Sequence, residues 1–220
     1  MSEAVRDFDR SAGGYDGWYR ETKGRQVLEA ERALVNRLIS VDGVGLEIGA
    51  GTGVFAESLT DDSRLIVCLD LSTEMLTRAR RRGLPCVLGS AESLPIRRGI
   101  LDFTYMVTVM EFLLDPVKAF GEAAKAAKTG AFLVVLFVNR DSSWGRLYRE
   151  MASKGDPIFR HAHLYSLEDL AEMTQSAGLT LVEEYGTLTT SPIDPAAGGD
   201  VVEPSPKAGV IAVKLVNRKH

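Results

Sequence analysis

LEIGAGTGVFA, residues 46–56, closes an apolar run of strand length and opens a helical one. Gly49, Gly51 and Gly53 fall in the turn between the two. Glycine there lets the backbone bend sharply and lets a ligand approach with no side chain in between. The dinucleotide fingerprint GxGxxG, counted from Gly49, needs its third glycine at position 54, where this chain has Val54. The spacing is instead GxGxG behind an acidic residue, Glu47. Taken alone, the glycines are also compatible with a tight strand-to-helix turn that holds no ligand.

Working outward, apolar runs of strand length alternate with segments of helical period, the pattern of a parallel sheet covered by helices. Strands are expected at Val44 to Ile48, Leu65 to Leu69, Cys86 to Leu88, Asp102 to Thr108 and Ala131 to Val138. Helices are expected at Gly53 to Leu59, Ser72 to Arg82, Pro116 to Ala127 and Ser166 to Ala177, with Ser72 and Ser166 as N-caps and Asp169 completing a near capping box. A preliminary helix from Gly24 to Ile39 carries Val27, Leu28, Leu34, Val35, Leu38 and Ile39 on one face. Leu179 to Thr190 and Val210 to Val216 read as a last strand pair, joined by a connector with four prolines. Parallel strands need a crossover, usually helical, which that connector cannot supply, so the last strand should run antiparallel. The sum is an α/β fold: a Rossmann-like three-layer sandwich around a mostly parallel seven-stranded sheet with an antiparallel last strand. Residues 1–220 are expected to form one domain, with an N-terminal lid and helix at about 1–40.

The second strand ends at Asp70, 21 residues after Gly49. A carboxylate at that tip can accept hydrogen bonds from both ribose hydroxyls of an adenosine lying across the glycine turn. It could equally cap the helix that follows, and the two roles are compatible.

Composition sets outer limits. With 45% hydrophobic and 25% charged residues, the 220-residue chain can bury a sizeable core. Its net charge of -4 argues against a general nucleic-acid binder. Cys68 and Cys86 sit in apolar runs and are expected to be free thiols. The N-terminus is charged where a signal peptide would be apolar, and the most apolar stretch, Ala131 to Val138, is too short to span a bilayer. A cytoplasmic protein with no membrane span is expected.

The glycine turn and Asp70, followed by SAESLPI (90–96), LDFTYMVTVMEFLLDP (101–116) and AFGEAAKAAKTGAFLVV (119–135), together resemble a class I S-adenosylmethionine-dependent methyltransferase, in the small-molecule, type 11 branch. The resemblance runs in order from Tyr15 to Thr190. It implies S-adenosyl-L-methionine as cofactor, S-adenosyl-L-homocysteine as product and a small-molecule methyl acceptor. It implies further that Gly49, Ala50, Gly51 and Gly53 approach the methionine part, with Glu47 supporting the turn. Asp70 would hold the ribose, Leu71 would lie on the adenine, Ala91 and Glu92 would border its edge, and Val107 with Thr108 would form the pocket floor. Two departures stand out. Lys-Pro-Gly-Gly before the fifth strand becomes AKTGA, 127–131, expected to change only a surface turn. Where many relatives carry a histidine-bearing loop after the fourth strand, this chain has Met110, Glu111 and Phe112.

Three segments should gather at the carboxyl ends of the strands: GGYDGWYRETKG near the N-terminus, Asn139 to Leu164, and the Pro-rich connector. If the first is helical, Tyr15, Trp18 and Tyr19 lie near one face and could cap the cofactor, since an aromatic face attracts a sulfonium cation. They could also simply staple the terminus to the core. Glu111, His161 and His163 are the candidate acid/base residues, with the two histidines expected on opposite sides of an extended segment. No metal-ligand spacing is present. A nucleotide-dependent oxidoreductase and a non-catalytic cofactor-binding module are the alternatives; Val54 and the antiparallel last strand weigh against the first.

Overall fold

The structure, a computed structural model, describes residues 2–194 and 199–217. Seven strands form one sheet: β1 (Gly43–Ile48), β2 (Arg64–Asp70), β3 (Cys86–Leu88), β4 (Leu101–Val107), β5 (Ala127–Val138), β6 (Leu179–Thr187) and β7 (Val210–Asn217). Its order is β3-β2-β1-β4-β5-β7-β6. The first five strands pair in parallel, and β7 runs antiparallel between β5 and β6. The helices are α1 (Glu3–Arg20), α2 (Thr22–Leu38), α3 (Val54–Leu59), α4 (Thr73–Arg81), α5 (Pro116–Ala126), α6 (Ser143–Ser153) and α7 (Leu167–Ser176), with 3₁₀ turns at Met110–Phe112 and Phe159–His161.

The three layers follow from alternation along the strands. In β5, Phe132, Val134 and Leu136 join a core shared with α2 and α3, while Leu133, Val135 and Phe137 join one shared with α5 and α7. Successive side chains point to opposite faces, so a strand covered on both sides reads as an unbroken apolar run. Each fully buried side chain of this size contributes roughly 1.5 to 3 kcal/mol. Ser72 caps α4 by accepting from the Met75 N–H, and Ser166 and Asp169 complete a reciprocal capping box on α7. Cys68 and Cys86 are neighbours in register, and both are free.

Three features that the sequence left open or read differently have physical causes. The segment upstream of α2 is itself an 18-residue helix, α1, despite Gly13, Gly14 and Gly17. Glycine costs about 1 kcal/mol in a helix interior, and tertiary bonds from α1 offset it. Asp9 accepts from the Ser72 hydroxyl, Asp16 pairs with Arg82, and Asp7 pairs with Arg160. The α1–α2 junction depends on Gly24, where a Cβ would stand 2.0 Å from the Trp18 carbonyl oxygen. AKTGA does not form a loose turn but opens β5: Ala127 registers with Leu101, and the Lys128 ammonium lies 2.6 Å from Asp102. Finally, the segment after β5 holds α6, capped by Ser142. Residues 195–198 of the Pro-rich connector lie outside the described residues. Among the described residues no helix is long and apolar enough to cross a membrane.

Candidate active site

Strand order reverses at β1, with β2 on one side and β4 on the other; in open parallel sheets ligands bind in the crevice outside the carboxyl ends of the strands at such a point. The glycine turn follows β1 into that crevice. The N–H groups of Gly49 and Ala50 both donate to the Leu69 carbonyl, at 2.8 and 2.9 Å, which bends the chain across the end of β2. Gly49 has φ 72° and a Cβ there would stand 2.0 Å from the Val109 methyl, so glycine is required on both counts. Gly51 has φ 54°, and a Cβ would meet no atom within 4 Å. Its missing side chain therefore leaves open space above the turn.

Asp70 borders that space. Its Oδ2 accepts from the Gly51 N–H and its Oδ1 from the Ser72 N–H, each at 2.8 Å. Burial pushes the carboxyl up, and those two backbone hydrogen bonds act against the rise. Each oxygen retains a further lone pair for a ligand hydroxyl. The expected helix-capping role and a ligand role thus coexist. Leu71, next in sequence, is about half exposed.

Beneath the turn, Glu47 is 2% exposed and opposes Tyr105 across β1 and β4. The Tyr105 hydroxyl donates to Glu47 Oε2 at 3.1 Å. Burial pushes the Glu47 carboxyl up to about 8, against hydrogen bonds from Tyr105 and the Ala56 backbone. Glu47 thus ties β1, β4 and α3 together under the glycines.

Two further walls come from β3 and β4. Ala91 is buried; Glu92 takes the Ser90 hydroxyl on Oε2 and the Leu114 N–H on Oε1. Burial alone would raise the Glu92 carboxyl, but these hydrogen bonds hold it below its ordinary value. Val107 is buried at the end of β4, and Thr108 follows with φ 48°, a strained conformation for a non-glycine residue. The Thr108 N–H donating to Leu136 and the packing of Val109 on Gly49 hold it there.

α1 crosses over this crevice. Asp16 accepts the Thr52 hydroxyl and faces the Arg82 guanidinium, each at 2.6 Å, and so binds the helix to the glycine turn. Tyr15 and Tyr19 are half-buried, with ring centroids 6.2 Å apart. Burial, and then the nearby Glu31 and Asp70 charges, push the Tyr15 hydroxyl up to about 12. Trp18 shares the cluster, 5.1 Å from Tyr19, but is exposed.

The three candidate acid/base residues lie in different surroundings. Glu111 is 2% exposed; Oε1 accepts from the Val138 N–H at 2.7 Å, and Oε2 has no hydrogen-bond partner. Burial pushes its carboxyl up to about 7. His161 Nε2 lies 2.9 Å from Asp7, which also pairs with Arg160. Hydrogen bonds from His161 and Arg160 pull the Asp7 carboxyl down to about 2. His161 therefore joins α1 to the second 3₁₀ turn. His163 is exposed; its N–H donates to the Glu111 carbonyl, and its ring packs 4.6 Å from Tyr165 in a cleft lined also by Val117, Asp169 and Met173. Two residues absent from the sequence-based candidates belong with Glu111: Glu31 of α2, 6% exposed, and Tyr148 of α6, both within the same electrostatic neighbourhood. Each left a signal. Glu31 falls on the apolar face of α2 among Val27, Leu28, Leu34 and Val35, and Tyr148 shares helical spacing with Trp144 and Met151. Among the described residues no group of three or more His, Cys, Asp or Glu side chains could hold a metal ion.

Comparison with known proteins bears on this geometry. Residues 46–135 match a family model described as a methyltransferase domain. The chain is 30% identical to an uncharacterized protein of Methanocaldococcus jannaschii, over 94% of this chain and 96% of that one. It is 32% identical to an uncharacterized protein of Mycobacterium tuberculosis, over 96% of this chain and 74% of that one. The crystal structure of a Thermotoga maritima S-adenosylmethionine-dependent methyltransferase, described as a possible histamine N-methyltransferase, superposes with a TM-score of 0.86 at 29% identity, covering 98% of this chain and 100% of that one.

Proposed function

Because the chain belongs to the class I S-adenosylmethionine-dependent methyltransferases, we propose that it methylates a small-molecule acceptor in the crevice between β1, β4 and α1. The observation that carries this reading is the open space at Gly51 beside the Asp70 carboxylate, at the point where strand order reverses. An open approach to the turn, bordered by a carboxylate with spare lone pairs, fits an adenosyl ligand. When bound, the cofactor supplies a methyl group already activated on a positively charged sulfur.

The chain's own residues then bind, orient and shield. In this reading Gly49, Ala50, Gly51 and Gly53 admit the methionine part, and Asp70 accepts the ribose hydroxyls. Leu71 offers its exposed face to the adenine, Ala91 and Glu92 border the ring edge, and Val107 with Thr108 close the floor. Glu47 holds the turn from below. Tyr15 and Tyr19 roof the site, so α1 acts as the lid and excludes water. Positioning supplies most of the rate, because displacement at the methyl carbon needs no covalent enzyme intermediate. Where the acceptor must lose a proton, Glu111 is the base: its free Oε2 and a pKa near neutrality suit the task, worth typically 100- to 10,000-fold. His161, held by Asp7, serves α1, and His163 borders the outer cleft beside Tyr165.

The net charge of -4 supports a small acceptor over nucleic acid. Methyl-labelled S-adenosylmethionine, incubated with the full chain and a lysate separated by size, tests the acceptor class. Label entering the small-molecule fraction is expected. Label entering only protein or nucleic acid would overturn the reading.

A further inference from the structure

Five side chains from four elements share one electrostatic neighbourhood near the glycine turn. Tyr15 and Tyr19 come from α1, Glu31 from α2, Tyr148 from α6 and Glu111 from the 3₁₀ turn after β4. The turn is fixed in place: Val109 fills the position a Gly49 side chain would take, and Glu111 is tied to the end of β5 through the Val138 N–H. Glu111 therefore sits at the carboxyl end of the sheet, two residues from the contact with the glycine turn. Its Oε2 is buried and unpartnered, although a carboxylate oxygen left so costs about 1 to 3 kcal/mol or more. Glu31, 6% exposed, is close enough for the Glu111 charge to act on it. Among the described residues neither carboxylate takes part in an ion pair.

Aromatic surface surrounds these charges. The Tyr148 ring stacks on Phe159 at 4.3 Å and lies 6.3 Å from Trp144. The Tyr148 hydroxyl feels both Glu31 and Glu111, and Tyr15 feels both Glu31 and Asp70. Tyr15 thus stands within electrostatic reach of both Asp70 and Glu31. Two buried carboxyl groups without an ion-pair partner, with several aromatic rings beside them, favour one ligand class, an organic cation.

Resting on the methyltransferase reading, we propose that Glu31, Glu111, Tyr15, Tyr19 and Tyr148 form the subsite that receives the methyl acceptor as a protonated amine. The ammonium offsets the negative charge of the buried pair, and the rings hold its carbon skeleton. Glu111 then takes one ammonium proton on Oε2: the ammonium becomes a neutral amine with a free lone pair, and the carboxylate becomes a neutral acid. Burial pushes Glu31 up to about 8 and Glu111 to about 7, so both exchange protons near neutral pH, and an ammonium beside them would favour their charged form.

The test uses the full chain saturated with S-adenosylhomocysteine, whose binding is measured first by calorimetry. Butylamine, 2-phenylethylamine and tryptamine are then titrated, each beside the alcohol of the same shape. At least one amine should bind roughly tenfold or more tighter than its alcohol. Glu111→Gln and Glu31→Gln should each erase that preference and leave S-adenosylhomocysteine affinity unchanged. Glu111→Gln retains an amide oxygen for the Val138 N–H, so it should fold, and Glu31→Gln gives an independent second variant. Equal binding of amines and alcohols, no binding by any amine, or an undiminished preference in both folded variants would overturn the proposal. Absence of S-adenosylhomocysteine binding at the first step would instead overturn the reading beneath it.

Discussion

Gly51 concentrates the site's logic in one missing methyl group. Its φ of 54° disfavours any side chain, yet a Cβ there would touch nothing in the protein. Gly51→Ala should therefore cost only about 1 kcal/mol of stability, the usual penalty for a left-handed residue. Its larger effect should fall on the ligand, because the methyl group would occupy the space above the turn. Calorimetry should show S-adenosylhomocysteine affinity falling by more than the denaturation midpoint accounts for. Unchanged affinity in the folded variant would place the ligand elsewhere. At this scale the sequence was informative where backbone geometry dictates residue type: Gly49, Gly51 and Asp70 were all identifiable from spacing. Glu31 and Tyr148 left only helical spacing among apolar residues, which marks burial; that they lie near Glu111 depends on how α1, α2 and α6 come together, which no local pattern encodes.

At the scale of elements, α1 is the least self-sufficient helix. It contains Gly13, Gly14 and Gly17, and is held by Asp9 to Ser72, by Asp16 to Thr52 and Arg82, and by Asp7 to Arg160 and His161. Beside them Ala12 is buried and Tyr19 packs on the core, so the proposed lid role requires these polar bonds to open together with that packing. Gly14 is exposed and an added Cβ meets nothing within 4 Å. Gly14→Ala should stabilise α1 by about 0.5 to 1 kcal/mol. Hydrogen exchange across residues 10–20 should slow in that variant, and slow further with S-adenosylhomocysteine. Exchange unaffected by ligand would make α1 a fixed part of the core. The same glycines explain why the sequence leaves the helical state of residues 1–22 open. The strands, α4 and α7 were legible, because unbroken apolar runs and serine caps mark them locally, and the four prolines after β6 gave β7 its antiparallel direction.

For the whole molecule, three buried carboxylates shape the response to pH. Glu31 and Glu47 stand at about 8 and Glu111 at about 7, all above the ordinary value of 4.5. The folded protein keeps protons there that the unfolded chain has released, so unfolding becomes easier as pH rises through that window. Asp7 acts in the opposite sense, its contribution being lost only as pH falls toward about 2. Thermal midpoints should decline between about pH 5 and pH 8, and Glu47→Gln should flatten the decline. A midpoint that rises across that range would show these groups ionised and satisfied in the fold.

The central claim is that the glycine turn and Asp70 together hold S-adenosylmethionine. Calorimetric titration of the full chain and of Asp70→Asn with S-adenosylhomocysteine, and separately with NAD, tests it most directly. The wild-type chain should bind S-adenosylhomocysteine and not NAD. Hydrogen bonds to a charged group contribute about 1.5 to 3 kcal/mol, so Asp70→Asn should bind roughly tenfold or more weakly while remaining folded. Binding of NAD alone, or equal S-adenosylhomocysteine affinity in wild type and a folded Asp70→Asn, would contradict the account.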